Sequence, residues 1–105
     1  MFTDDYLKLL ANKNISKICS KPYGLEFMIL LYFDSKHNNE NGIEEIFEMI
    51  QYNRCKRPAF LSFIKDLSDE VIVLRSPSKL KKSRTLLRLN QDIVRLLDEI
   101  NCIDH

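Results

Sequence analysis

The sequence predicts a mostly helical α+β fold, and three stretches predict it. In 56–67, Phe60, Phe63, Ile64 and Leu67 fall on one face of a helix with 3.6 residues per turn. Just before it, Ile43, Ile46, Phe47 and Ile50 recur at i, i+3, i+4 and i+7, with only Gln51-Tyr52-Asn53-Arg54 between the two helices. Just after it come the β-branched run Val71-Ile72-Val73-Leu74, a basic loop of about eight residues and the return segment Thr85-Leu86-Leu87-Arg88-Leu89. Two short amphipathic helices across a small turn, followed by a basic hairpin, describe a winged helix-turn-helix with a two- or three-stranded β wing.

The 105 residues fit one domain, 1–105, and their 45% apolar and 30% charged side chains are those of a globular protein. Net charge is only +1 but is unevenly spread: −3 over 1–50, +7 over 51–90 and −3 over 91–105. The basic middle of the chain is a candidate anion-binding surface.

Taken in order, Thr3 can cap a first helix whose stripe is Phe2, Tyr6, Leu9 and Leu10. The pattern fades near Asn12-Lys13-Asn14, and Ile15 to Cys19 either continues that helix or breaks from it. Pro22-Tyr23-Gly24 interrupts any helix. The run from Leu25 to about Ser35 is apolar almost all round, so periodicity leaves strand and helix open; its Leu, Met and Phe content favours a buried helix. The polar stretch from Asp34 to Gly42 reads as a loop, with His37 solvated. The helix-turn-helix spans 43–68, with Glu44, Glu45 and Glu48 outside and away from phosphates, and the wing spans 71–89, broken at Ser76-Pro77-Ser78. Asn90 can cap a last helix striped by Ile93, Leu96, Leu97 and Ile100.

Pro58 is tolerated in the first turn of the 56–67 helix, and the face opposite the apolar stripe carries Ala59, Ser62, Lys65, Asp66 and Asp69. Its short side chains with one cation let a helix approach base edges, so Arg57, Ser62 and Lys65 are expected in a major groove. Lys56 is expected on the DNA backbone near the helix start. Lys79, Lys81, Lys82 and Arg84 are expected on phosphate or the minor groove.

The succession from Leu25 to Ile100 resembles the winged-helix regulators of the MarR superfamily, and most closely the staphylococcal accessory regulator (Sar) family. Lys56-Arg57-Pro58, Phe60-Leu61, Ile64-Lys65-Asp66-Leu67-Ser68 and Arg84-Thr85-Leu86-Leu87-Arg88-Leu89 carry the resemblance. It implies a homodimeric, DNA-binding regulator of transcription, with recognition helices in successive major grooves and wings toward the minor groove. It also implies that dimerisation uses the terminal helices, 1–20 and 91–103, through Phe2, Tyr6, Leu9, Leu10, Val94, Leu97 and Ile103. Arg84 matches the family's wing arginine, but Lys82-Ser83 stand where two acidic residues normally precede it. A neighbouring carboxylate to orient Arg84 is therefore missing, and the more basic wing favours phosphate contact over defined base readout. Some regulators of this kind sense oxidants through cysteine. Cys19 is loosely comparable, and nearby lysines, Arg54 or Arg57 could lower the pKa of Cys55.

The leading reading is a cytoplasmic regulator that binds double-stranded DNA without a cofactor. The alternative is a winged-helix protein–protein interaction module, such as an anti-activator or a replication or assembly factor, whose acidic segments face a protein partner. No enzyme is expected: the chain has two glycines, no phosphate loop and no Ser/His/Asp or Cys/His set. Three scattered cysteines and two histidines predict no metal site. The longest apolar run, seven residues from Phe27 to Phe33, predicts no membrane span, and the acidic N-terminus predicts no signal peptide.

Overall fold

A computed structural model describes residues 11–37, 41–79 and 84–103, with side chains through residue 100. The first-helix stripe of Phe2, Tyr6, Leu9 and Leu10 lies outside the described residues.

Helix α1 (Lys13–Ile18) starts afresh at Asn12, whose Oδ1 accepts the N–H groups of Asn14 at 2.9 Å and Ile15 at 3.2 Å. The fading pattern at Asn12 is therefore a helix cap, which satisfies two of the first turn's orphan donors. Helix α2 (Gly24–Lys36) begins after the Pro22-Tyr23 turn. A Cβ on Gly24 would sit 1.8 Å from the Ile18 carbonyl oxygen, so this close approach of α1 to α2 requires glycine.

The helix-turn-helix is α3 (Ile43–Met49) and α4 (Arg57–Asp69). Glu26 of α2 fixes the turn between them by accepting the N–H groups of Gln51 at 2.7 Å and Tyr52 at 3.1 Å. Phe60, Phe63, Ile64 and Leu67 of α4 are buried, as the stripe predicts. Phe27 of α2 meets Phe60 and Phe63 edge-on, with centroids 5.8 and 5.5 Å away. Each such ring contributes about 1.5–3 kcal/mol on burial. The core extends to Ile15 and Ile18 of α1, Ile46 of α3 and the hairpin's Val73, Leu87 and Leu89.

The wing is an antiparallel pair, β1 (Val73–Pro77) and β2 (Thr85–Leu89), in register from Val73↔Leu89 to Pro77↔Thr85. An isolated bridge between Gly42 and Leu86 adds a minimal third strand. The return strand matches its expected bounds. The first strand does not: Val71 and Ile72 stop α4 instead of pairing. The Val71 N–H reaches the Ser68 carbonyl and the Ile72 N–H reaches the Leu67 carbonyl, at 3.0 and 2.9 Å. This is the Schellman arrangement, and it consumes the first two residues of the β-branched run. Ser76-Pro77 continue β1 to its end, where proline's missing donor is tolerated in a two-stranded edge.

Asn90 caps α5 (Gln91–Ile103) through Oδ1 to the Asp92 N–H at 2.8 Å, while its Nδ2 donates to the Val71 carbonyl at 3.0 Å. Helix α2 departs from expectation twice. It is not buried all round, since Leu25, Ile29 and Phe33 at i, i+4 and i+8 are 45–51% exposed. Asp34 belongs to this helix and not to the loop, and is 2% exposed. Its carboxylate is buried because Arg88 and Asn41 supply donors at 3.0 and 2.8 Å.

Candidate nucleic-acid interface

The outer face of α4 is set by Lys56, which enters in extended conformation, and by Pro58 in the first turn. Lys56 and Arg57 at the helix start, then Ala59, Ser62, Lys65, Asp66 and Asp69 along it, are all exposed. The positive end of the helix dipole and two cations thus share one end of the face, while two carboxylates lie toward the other. Phe63 is 4% exposed and packs inward on Tyr23, so it belongs to the core beneath this face.

Beside α4 stands the wing. Lys79 is exposed, and the buried Ser78 donates its N–H to the Arg84 carbonyl at 3.0 Å, closing the base of the loop. Lys81 and Lys82 lie outside the described residues. Arg75, an exposed cation on β1, was not among the residues singled out from the sequence. Its signal was present as a charge breaking an apolar run.

Two of the expected DNA contacts come together in one cleft of about 400 Å³ between α3, the start of α4 and the wing root. Arg57 reaches back to α3 and clasps Glu44, with Nε at 3.1 and 3.2 Å from the two carboxylate oxygens and a terminal nitrogen also donating. This pairing holds Glu44 below its ordinary pKa and Arg57 above its own. Arg84 crosses Gly42, where an added Cβ would meet its Cγ at 2.6 Å, and its Nε lies 2.8 Å from Glu45. Glu45 also accepts the Gly42 N–H at 3.2 Å, bracing the first turn of α3.

Arg84 has an orienting carboxylate, although none stands beside it in the wing sequence. The carboxylate comes from α3, not from the residues before Arg84. Glu44 and Glu45, expected to be supporting surface charges, are the arginines' partners. Only Glu48 is left as an exposed acid in no ion pair among the described residues of α3.

Of the residues expected at a dimer interface, Val94 and Leu97 have described side chains. Val94 is 7% exposed and sits in this chain's own core, and Leu97 packs against that core. The side chain of Ile103 falls outside the described residues. A separate apolar groove of about 510 Å³ runs between α2 and the α3–α4 turn, lined by Leu25, Ile29, Met49 and Tyr52 among others.

Burial pushes the thiols of both Cys19 and Cys55 up, against the lowering expected for Cys55. The reason is local: Arg57 is committed to Glu44, and the hydrogen bond from Tyr23, which favours the Cys55 thiolate, does not offset burial. Among the described residues no helix is long and apolar enough to cross a membrane.

No protein-family model matches the chain, and no curated protein matches it. Solved structures do. The fold is similar to that of an S. aureus MepR–DNA complex, with a TM-score of 0.64 at 14% identity over 96% of this chain and 77% of that one. It is similar to a glycine-to-lysine mutant of S. aureus MepR, with a TM-score of 0.63 at 14% identity over 96% and 70% of the two chains. A glutamine-to-proline MepR mutant from a multidrug-resistant S. aureus clinical isolate gives a TM-score of 0.62 at 14% identity, over 96% and 69%. The fold is therefore mostly helical with a two-stranded antiparallel wing, a winged helix like that of the MepR structures.

Proposed function

We propose that this chain is a DNA-binding regulator of transcription, working in the cytoplasm as a homodimer. The observation that carries this reading is the juxtaposition of α4's exposed outer face with a cationic wing. Ser62 and Lys65 lie on that face, Lys56 and Arg57 lie at its start, and Arg84 and Lys79 lie at the wing root. A helix face of short and basic side chains fits a major groove, and a basic hairpin beside it fits the backbone or minor groove. The likeness in fold to a MepR–DNA complex supports it. In this reading Lys65 and Ser62 address base edges, Lys56 a phosphate at the helix start, and Lys79, Lys81 and Lys82 the backbone. Arg57 and Arg84 enter when their carboxylate partners release them. Pairing of two copies would use Leu97 with Phe2, Tyr6, Leu9, Leu10 and Ile103, while Val94 has little surface to offer.

Fluorescence anisotropy of a labelled random-sequence duplex, titrated at several salt concentrations, tests the reading. Binding is expected to weaken steeply with salt, with a slope near −0.9 per phosphate neutralised, and to weaken strongly in the Lys81→Glu/Lys82→Glu variant. A folded protein that does not bind even at low salt would instead be a protein–protein interaction module.

A further inference from the structure

Glu44 and Glu45 are neighbours in sequence, yet each engages a different arginine on a different element. Adjacent helical positions point about 100° apart. One carboxylate therefore reaches the start of α4 and the other the root of the wing. Arg57 presents its guanidinium fork to Glu44, which is the geometry that a guanidinium offers a phosphate. Arg84 is drawn across Gly42 toward Glu45. Gly42 has no side chain, and that absence gives the arginine stem its path.

We propose that Glu44 and Glu45 act as built-in phosphate surrogates that keep Arg57 and Arg84 out of sequence-independent DNA binding. The inference rests on the DNA-binding reading above and assigns these two acids a part in its specificity. Non-specific binding is almost wholly electrostatic, so each masked cation removes a share of it. The side chains of the Arg57–Glu44 pair are 58% and 52% exposed, and those of the Arg84–Glu45 pair 26% and 36%. The first pair is exposed and the second half-exposed; pairs so open to solvent are worth little net, so a phosphate held in register by base contacts displaces the carboxylate. A duplex docked only loosely does not provide that registration.

The test compares the wild type with Glu44→Gln/Glu45→Gln on a random-sequence duplex across a salt series. Glutamine keeps an oxygen for the Gly42 N–H, so the start of α3 is preserved. A melting curve checks that it is. The double variant is expected to bind at least about tenfold more tightly at low salt. Its plot of log affinity against log salt should be steeper by about two, one for each phosphate newly contacted. Each single variant should steepen it by about one. Glu48→Gln, which removes an acid in no ion pair among the described residues, should leave the slope unchanged. An unchanged slope in the double variant, weaker binding by it, or an equal steepening by Glu48→Gln would overturn the inference while the DNA-binding reading stands. Salt-dependent binding missing from wild type and variants alike would overturn both.

Discussion

Arg88 on β2 donates to a carboxylate almost wholly removed from water, that of Asp34 on α2, 3.0 Å away and 1% exposed in its side chain. Asn41 completes the site from the loop before α3. The wing is thereby tied to the helix that carries the core, at a point beyond the reach of the two-stranded ladder itself.

Replacing Arg88 by methionine leaves Asp34 buried with only Asn41 to solvate it. Breaking one side of a buried pair costs about 3–5 kcal/mol, and the partial exposure of Arg88 puts this case at the low end. Burial already favours protonated Asp34, with Asn41 and Arg88 opposing it. Without Arg88 the folded-state pKa should rise further, and the unfolded chain loses its proton first as pH increases. The deficit of Arg88→Met should therefore be largest at pH 7 and shrink toward pH 4, which urea unfolding at the two pH values measures. An equal deficit at both would mean that the carboxylate is not the seat of the loss.

Glu26 acts on the helix-turn-helix turn by the opposite linkage. The N–H groups of Gln51, then Tyr52 and Asn53, hold its carboxyl below the ordinary glutamate value. A depressed pKa contributes stability present above the unfolded value, about 4.3, and lost as pH falls through the folded one. Glu26→Gln should cost about 1 kcal/mol at pH 7, allowing for solvent screening, and nearly nothing at pH 3. Chemical denaturation across that range checks it; a cost that does not fade in acid would contradict it.

Val71 sits at φ 58°, a left-handed position that helix ends usually give to glycine, and it is 54% exposed. Valine there is strained and buries little. Val71→Gly should raise stability by about 1 kcal/mol, the relief of strain outweighing the added freedom of the unfolded chain. Thermal melting reads it directly, and a lowered midpoint would show that the left-handed residue is not under strain.

Some of this was legible in the sequence and some was not. Helix α4 was readable because Phe60, Phe63, Ile64 and Leu67 repeat at helical spacing with Pro58 at the start. Strand β2 was readable because Asn90 marks its end. The start of β1 was misread because Val71 and Ile72 have strand chemistry but serve a helix stop, where hydrogen bonds to Ser68 and Leu67 decide their conformation. Asp34 read as a loop residue because its neighbours are polar, and its burial depends on an arginine 54 positions away. The carboxylate for Arg84 was sought beside it in the wing and is found on α3, a pairing that no local pattern encodes. For α2, an apolar run says that the helix packs but not which face water meets.

Cysteine chemistry gives a further expectation. Burial raises both Cys19 and Cys55, so little thiolate is present at neutral pH. Iodoacetamide at pH 7 should modify both more slowly than it modifies a free cysteine in a peptide. Rapid modification of Cys55 would contradict the burial argument and reopen oxidant sensing beside α4.

The central claim is that the outer face of α4 and the wing form one DNA-contacting surface. Amide chemical-shift mapping, with isotope-labelled protein titrated with a duplex in low salt, tests it most directly. Shifts are expected to concentrate in 56–66 and 75–88, with Glu44 and Glu45 keeping their arginines on a duplex of random sequence. Shifts confined to Leu25, Ile29, Phe33 and the α3–α4 turn, or none at all, would contradict it.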